Sequence, residues 1–182
     1  KTFTKGLETA KLGNTKYLQM ERRFLYQLGQ NYLAKKDYLE AIDFFAKSTV
    51  VSANDNERAE GYDGLAMAYY GKKKSTKAIE YGLKAANTYR KVGAYNEYAD
   101  AQIKLSTYHL GDDAPDRALD VLQKLERFAK DNGSRYYEAK ALLEQSLVFK
   151  HKNEEQKAIE SFNIGTDIAK EIGAKDLLST TK

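Results

Sequence analysis

The sequence predicts an all-α protein that is built from repeated helical hairpins. Composition is the first observation: the 182 residues include one proline, 42% are hydrophobic and 31% are charged. Such a chain can bury a core, and it suits helices better than a sheet with many turns. The second observation is a short outline that occurs four times, as EAIDFFAKS at 40–48, KAIEYGLKA at 77–85, RALDVLQKL at 117–125 and KAIESFNIG at 157–165.

An alanine anchors each of these four stretches. Ala41, Ala78, Ala118 and Ala158 follow Glu, Lys or Arg and precede Ile or Leu, and they lie 37, 40 and 40 residues apart. A period of about 34 to 47 residues is typical of repeats that are made from pairs of helices. We therefore expect each stretch to open the second helix of a hairpin.

A further amphipathic stretch precedes each anchor and is predicted to form the first helix of the hairpin. Its apolar residues recur three and four positions apart. They are Leu25, Leu28 and Tyr32 in the first unit and Tyr62, Leu65 and Tyr69 in the second. A polar segment follows each first helix, and its residues are typical of turns. These segments are KKD, GKKKS, GDDAPD and HKNEE.

Residue sizes indicate how the two helices of a hairpin pack. A small residue in the first helix, Gly29, Ala66 or Ser106, allows the second helix to approach closely at its alanine. A large side chain fills the remaining space, and the candidates are Tyr32, Tyr69, His109 and Phe149. Because one hairpin cannot bury its apolar faces alone, neighbouring hairpins must stack into a continuous core.

At these positions the sequence resembles the tetratricopeptide repeat (TPR) family. The stretch FLYQLGQNYLAKKDYLEAIDFF places Leu28, Gly29, Tyr32, Ala41 and Phe45 where the family pattern has them, and the later units keep fewer such residues. The resemblance implies a TPR-like α-solenoid, a right-handed superhelix of antiparallel helical hairpins. It implies about four repeats, with partial repeats at both ends.

The period divides residues 1–182 of this single TPR-like solenoid into six segments. Residues 1–20 are predicted to be the end of an upstream repeat, and residues 174–182 the start of a further one. Repeats 1 to 4 are predicted at residues 21–58, 59–98, 99–138 and 139–173. Because both ends resemble parts of repeats, we expect the chain to be a fragment of a larger protein.

By resemblance to TPR proteins, the first helices line a concave groove that binds a protein or peptide ligand. The candidate groove residues are Arg23, Tyr26, Gln30, Leu33, Glu60, Asp63, Met67, Tyr70, Asp100, Ile103, Thr107, Leu110, Lys140, Leu143, Leu147 and Lys150. For the apolar ones, packing against a neighbouring turn is the alternative. Among the tyrosines, Tyr26 and Tyr70 are the better candidates for binding.

Repeats near 40 residues also resemble those of bacterial sensor proteins, where they precede histidine kinases or helix-turn-helix output domains. The resemblance implies that the chain is the sensory or interaction domain of a bacterial signalling or transcriptional regulator. The alternative is a free-standing scaffold or assembly factor with no signalling output. Apolar termini also predict a homo-oligomer that forms through the terminal repeats.

The sequence gives little support to other classes of function. His109 and His151 occupy different places in their repeats, so we predict no metal site, no cofactor and no enzyme activity. No aromatic and arginine stripe extends the basic run GKKKSTK at 71–77, which argues against direct nucleic-acid binding. The sequence contains neither a membrane segment nor a cysteine, and it is compatible with a soluble protein of the cytoplasm or the periplasm.

Overall fold

The computed structural model describes the backbone of residues 2–179 and the side chains from Lys16 to Ser179. Within these residues it contains nine helices and no strand, which confirms the predicted all-α fold. The helices are α1 (Thr2–Ala34), α2 (Tyr38–Val50), α3 (Asp55–Gly71), α4 (Ser75–Val92), α5 (Tyr95–Leu110), α6 (Pro115–Asp131), α7 (Arg135–His151), α8 (Glu155–Glu171) and α9 (Lys175–Ser179).

The turns inside the four hairpins share one backbone geometry. The residues Lys36, Lys73, Asp113 and Asn153 have positive φ angles of 62°, 57°, 53° and 59°. After each of them, a backbone N–H donates to the carbonyl five residues earlier, as the N–H of Asp37 does to Tyr32 at 2.9 Å. This is a Schellman-type helix end, which satisfies carbonyls that the helix leaves unpaired. This helix end recurs every 37 or 40 residues, which is the same spacing as that of the four anchor alanines.

The connections between hairpins explain why the first spacing is shorter than the others. α2 has 13 residues, whereas α6 and α8 have 17 residues each. The helix that follows α2 begins after Asn54, whose side chain accepts a hydrogen bond from the N–H of Glu57 at 2.9 Å. The later connections instead turn at Gly93, Gly133 and Gly173, where φ is 77°, 68° and 70°. The first repeat is therefore short because its second helix ends about one turn early.

α1 is longer than the sequence predicts for a first helix. The expected boundary between residues 20 and 21 falls inside α1, which runs unbroken from Thr2 to Ala34. The segment KYLQMERRFL around this boundary contains neither proline nor glycine, and it consists largely of good helix formers. No helix end therefore separates residues 1–20 from repeat 1, in contrast to the turns between the later hairpins.

The chain divides into two compact units, Lys1–Tyr98 and Ala99–Lys182. In the first unit the core surrounds Phe45 of α2, which is fully buried and clusters with Ala41, Leu65 and Ala68. A Cβ added to Gly29 of α1 or to Gly64 of α3 would lie 2.7 or 2.5 Å from the Phe45 ring. The backbones of two first helices thus contact one phenylalanine ring, which confirms the predicted close approach at Gly29.

Aromatic side chains fill the remaining space within these hairpins, as predicted. The ring of Tyr32 stacks on Phe44 of α2 with 5.3 Å between centroids. The ring of Tyr69 stacks on Tyr81 of α4 at 5.5 Å. The tyrosines at these positions therefore serve packing.

Three small apolar clusters lie among the described residues of the second unit. Ala118 and Leu122 of α6 pack under Val148 of α7. Leu125 of α6 packs with Ala99 and Ala141, so α6 contacts the helices on both sides of it. The third cluster joins α7, α8 and α9, and its members are Ala139, Leu142, Leu143, Ile168, Ala169 and Leu177.

The two histidines occupy unlike environments. His109 is buried near the end of α5, at the predicted large-residue position, and burial lowers the pKa of its imidazole. His151 was expected in a loop, but it is the last residue of α7 and is exposed. Within the described residues no helix is both long and apolar enough to cross a membrane.

Candidate binding face

Successive first helices contact one another at matching positions within each unit. In the second unit the Lys140 ammonium of α7 donates to the Asp100 carboxylate of α5 at 2.9 Å, and the Tyr136 hydroxyl donates to Asp176 of α9 at 2.7 Å. In the first unit Arg22 of α1 forms an ion pair with Glu60 of α3. These partners lie 38 or 40 residues apart. One side of each set of first helices is therefore a continuous surface, which we call the first-helix face.

Five of the apolar candidate residues pack against the apolar clusters of the two units and are not fully exposed. Leu143 is buried beside Leu142 and Ile168, in a cluster of the second unit. The other four are partly buried against clusters: Tyr26 and Leu33 in the first unit, and Ile103 and Leu110 in the second. These five residues therefore fit the alternative, packing against a neighbouring turn, better than exposure in a ligand-binding groove.

Tyr26 was a preferred candidate for ligand binding, and its environment is that of a packing residue. Its ring lies 5.5 Å from the Phe45 ring, and the Arg22 guanidinium lies 5.3 Å from its centroid. Burial raises the pKa of its hydroxyl, and a hydrogen bond from the Gln30 side chain opposes this rise. Replacing Tyr26 would disturb the first-unit core as well as the surface.

The polar candidates divide into paired and exposed residues. Glu60, Asp100 and Lys140 form the ion pairs between first helices described above. The exposed candidates are Arg23, Gln30, Thr107, Leu147 and Lys150, and the half-buried ones include Asp63, Met67 and Tyr70. The accessible part of the predicted site is therefore narrower than the sixteen candidates suggest.

A groove of about 810 Å³ opens between α7 and α8 in the second unit. Its lining includes Leu143, Leu147 and Lys150, three of the candidates, together with Ile159 and Phe162 of α8. Two large apolar residues of this lining, Leu147 and Ile159, are 58% and 55% exposed. The polar residues of the lining include Glu144, Asn153, Glu155 and Asn163.

Glu144 is the acidic residue that the groove environment affects most. Burial raises the pKa of its carboxyl, although the positive charge of Lys140 opposes this effect. A cationic group placed beside Glu144 would offset the cost of burying its charge. The groove can thus accept an apolar surface that carries a positive charge at one edge.

Sequence reasoning missed the α8 side of this groove. All sixteen candidates lie on first helices, whereas Ile159 and Phe162 belong to a second helix. The repeats contain a signal for this surface, because residues 158–162 and residues 41–45 share the pattern Ala-Ile-x-x-Phe. The pattern that marks the repeat period therefore also marks this surface.

The basic run at 71–77 does not form a continuous positive surface. The Lys77 ammonium donates to Glu80 at 2.9 Å, and this pairing raises the pKa of the ammonium. Glu80 also accepts from Lys84 at 2.8 Å, and the two lysines lower its pKa to about 2. The helix that follows the turn thus neutralises part of the run.

Comparison with known proteins identifies the fold. No protein-family model matches the sequence, and no curated protein sequence matches it. Solved structures that match in fold are TPR-like helical repeat proteins. The fold is TPR-like. The right-handed superhelix and the repeat boundaries stay predictions.

Three solved structures illustrate this TPR-like fold. Aspartyl phosphate phosphatase F from Bacillus subtilis matches with a TM-score of 0.77 and 22% identity over 92% of this chain and 45% of that one. The apo form of RapI matches with a TM-score of 0.74 and 16% identity over 84% and 57%. A Rap protein in complex with Competence and Sporulation Factor matches with a TM-score of 0.65 and 20% identity over 83% and 43%. The chain thus spans about half of the length of these proteins, and the likeness shows the fold alone.

Proposed function

We propose that the chain is a protein- or peptide-binding module whose ligand occupies the first-helix face and the groove between α7 and α8. The observation that carries this proposal is the pair of exposed apolar side chains, Leu147 and Ile159, above an apolar floor of Leu143 and Phe162. Exposed apolar patches that polar residues surround are typical of interaction sites. TPR-like repeats present such surfaces on rigid helices, which limits the entropy lost on binding.

The comparison structures support a peptide or protein ligand over a small substrate. One fold neighbour is a Rap protein in complex with Competence and Sporulation Factor. Another neighbour bears the name of a phosphatase, but a likeness at 22% identity does not transfer an activity to this chain. Our proposal is therefore binding without catalysis.

The proposed setting is the sensory or interaction domain of a bacterial regulator. Its support is the 40-residue period together with the fold shared with Rap proteins. This setting predicts that the gene's reading frame includes an output domain, such as a histidine kinase or a helix-turn-helix domain. A frame without one favours the alternative, a free-standing scaffold that joins two partners.

A peptide-display selection against the purified chain tests the binding function. Selected peptides are labelled, and their dissociation constants are measured by fluorescence anisotropy for the wild type, Leu147→Asp and Leu83→Asp. Leu83 is 44% exposed on α4, outside the groove lining, and it provides a matched apolar control. We expect Leu147→Asp to weaken binding at least about tenfold and Leu83→Asp less than about twofold. Equal effects of the two changes would contradict the proposed site.

A further inference from the structure

Two neighbouring turns of the first unit together carry five lysines. The turn between α1 and α2 has Lys35 and Lys36, and the turn between α3 and α4 has Lys72, Lys73 and Lys74. The two turns are adjacent, because a Cβ added to Gly71 at the end of α3 would collide with the ring of Tyr38 at the start of α2. We call these five lysines the lysine edge. Lys72 is half-buried and the other four are exposed.

The lysine edge has no carboxylate partner among the described side chains. None of its five ammonium groups forms an ion pair there, whereas Lys77, the next lysine along the chain, pairs with Glu80 at 2.9 Å. Asp37 lies in the first of the two turns, but it is exposed and pairs with none of the five. Both turns lie between described helices and not at a chain terminus. The first unit therefore presents an uncompensated positive charge at this edge.

The equivalent turns of the second unit neutralise each other. The Lys152 ammonium, in the turn after α7, donates to Asp116 of α6 at 2.7 Å and pairs with Glu154 at 2.8 Å. Counted from the turn residues with positive φ, Lys152 corresponds to Lys72, and Asp116 corresponds to Leu39. The first unit thus has a leucine, 66% exposed, where the second unit has the carboxylate that joins its two turns.

Lysine is an unfavourable choice at two positions of the lysine edge. Lys36 and Lys73 have φ angles of 62° and 57°, in the left-handed region that glycine adopts without strain. At the same position the second unit has Asp113 and Asn153, and these residue types adopt this conformation more readily than lysine does. Stability alone therefore favours other residues at both places. A charge that is kept in spite of backbone strain is typical of functional surfaces.

The first unit also carries the positive excess of the whole chain. Its residues, Lys1–Tyr98, include 17 Lys and Arg against 11 Asp and Glu, whereas Ala99–Lys182 includes 13 against 15. A charge excess of this kind attracts groups of opposite sign and accelerates their association. An anionic partner is therefore drawn to the unit that contains the lysine edge.

We propose that the lysine edge binds an acidic segment of a partner protein, and that this segment places a leucine or a similar apolar side chain on Leu39. Carboxylates would supply the charge that Asp116 supplies in the second unit. The backbone of a nucleic acid would offer no apolar group to Leu39. The edge also contains no arginine, the residue best suited to bidentate contacts with phosphate.

This surface is separate from the proposed ligand site and does not rest on it. None of the five lysines is among the sixteen candidates of the first-helix face, and none lines the groove between α7 and α8. The proposal therefore adds a second partner surface to the binding module.

A second copy of this chain is a poorer partner for the lysine edge. Its acidic turn at 111–114 offers Asp112 and Asp113, whereas Asp116 beside them is already paired with Lys152. Two carboxylates do not match five lysines, and no leucine lies between them.

The probe that tests the proposal is a fluorescein-labelled peptide, Glu-Glu-Leu-Glu-Glu-Leu-Glu-Glu. A peptide with serine in place of both leucines and a thymidine oligonucleotide of the same net charge accompany it. The charge variant combines Lys36→Asn with Lys73→Asn, which removes two charges and suits the positive φ angles. Its matched control combines Lys47→Gln with Lys170→Gln, which removes two charges from exposed helix positions. Leu39→Ser tests the apolar contact.

We expect the leucine-containing peptide to bind the wild type saturably by fluorescence anisotropy, and more weakly at an ionic strength of about 0.15 M than at about 0.01 M. The Lys36 and Lys73 variant should weaken binding at least about fivefold, and the Lys47 and Lys170 control less than about twofold. Leu39→Ser should weaken binding of this peptide at least about threefold and leave the serine peptide unchanged. Absence of binding to the wild type, or equal effects of the two double variants, overturns the proposal.

Two other results would also overturn it. If the oligonucleotide binds more tightly than the leucine peptide and Leu39→Ser changes neither, the edge is a phosphate-binding surface. If sedimentation equilibrium shows self-association that the Lys36 and Lys73 variant abolishes, the occupant is a second copy. Thermal unfolding should show this variant to be at least as stable as the wild type, so that lost binding does not reflect lost structure. Leu147→Asp should leave binding of the acidic peptide unchanged, which separates this result from the proposed function.

Discussion

Replacing Phe45 by alanine should destabilise the first unit strongly. The ring is fully buried between the backbones of α1 and α3, where Gly29 and Gly64 face it without side chains. Removal of a buried phenylalanine ring costs about 3 to 5 kcal/mol, and the cost rises when the cavity cannot collapse. Here the cavity walls are helix backbones, which close the gap only if whole helices move.

The aromatic contact of Phe45 adds to this cost. The Tyr26 ring lies 5.5 Å from it at an angle of 59°, a tilted geometry that contributes about 0.5 to 1.5 kcal/mol. We therefore expect Phe45→Ala to lower the free energy of unfolding by about 4 to 5 kcal/mol. Phe24→Ala, at a position that is 63% exposed on α1, should cost less than about 1 kcal/mol.

Urea titration followed by circular dichroism measures both variants. Because repeat proteins can unfold in segments, hydrogen exchange of the α2 and α3 amides should accompany the titration and assign the loss to the first unit. A cost below about 2 kcal/mol for Phe45→Ala would refute the close approach of the two helices to this ring.

Three further predictions concern turns, ion pairs and burial. Lys36→Gly should stabilise the chain by about 0.5 to 1 kcal/mol because φ is 62° at this position. Lys35→Gly, in the same turn, should not stabilise it. Thermal unfolding distinguishes the two variants, and equal shifts of their melting temperatures would contradict the turn geometry. A double-mutant cycle of Lys140→Ala and Asp100→Ala should give a coupling of about 0.2 to 1 kcal/mol, and zero coupling would show that this ion pair does not stabilise the packing of α5 and α7. Burial raises the pKa of Glu144, so this carboxyl should destabilise the fold increasingly as the pH rises from about 4 toward neutrality. Glu144→Gln should therefore melt above the wild type at pH 7 and not below pH 4, and a constant difference between the two across this range would contradict the burial effect.

Much of the fold could be predicted from the sequence because each hairpin repeats its packing requirements. Ala41, Ala78 and Ala118 are fully buried, as expected for residues where two helices approach each other. The small-residue positions Gly29 and Ser106 are buried as well. These requirements depend on residue size at a fixed spacing, which is visible in one sequence without knowledge of the neighbours.

The unbroken α1 and the exact hairpin turns could not be predicted in the same way. A helix continues wherever nothing stops it, and the predicted end of an upstream repeat at residues 1–20 gave no stop signal near residue 20. The turns are formed by Lys36, Lys73, Asp113 and Asn153 in a conformation that glycine usually adopts. The backbone hydrogen bonds that end each helix accompany this conformation, and composition does not reveal it.

The candidate site was harder to predict than the fold because it lies at the edge of the packed faces. A rotation of one residue around a helix, about 100°, separates a core position from a surface position. Even a smaller rotation has this effect, since Leu143 is buried while Leu147, four residues later and only about 40° around the helix, is 58% exposed. Which side of a second helix stays open depends on what covers it, and Phe45 and Phe162 have the same local sequence outline but different exposure.

Methyl NMR of the chain, titrated with a peptide selected by display, tests the central claim most directly. It reports where on the TPR-like fold the peptide binds. We predict that the methyl signals of Ile159, Leu143 and Leu147 shift in a saturable manner while those of Ile164 and Leu83 stay unchanged. Shifts confined to residues outside the groove between α7 and α8, or no shifts at all, would contradict the claim that this groove is a peptide-binding site.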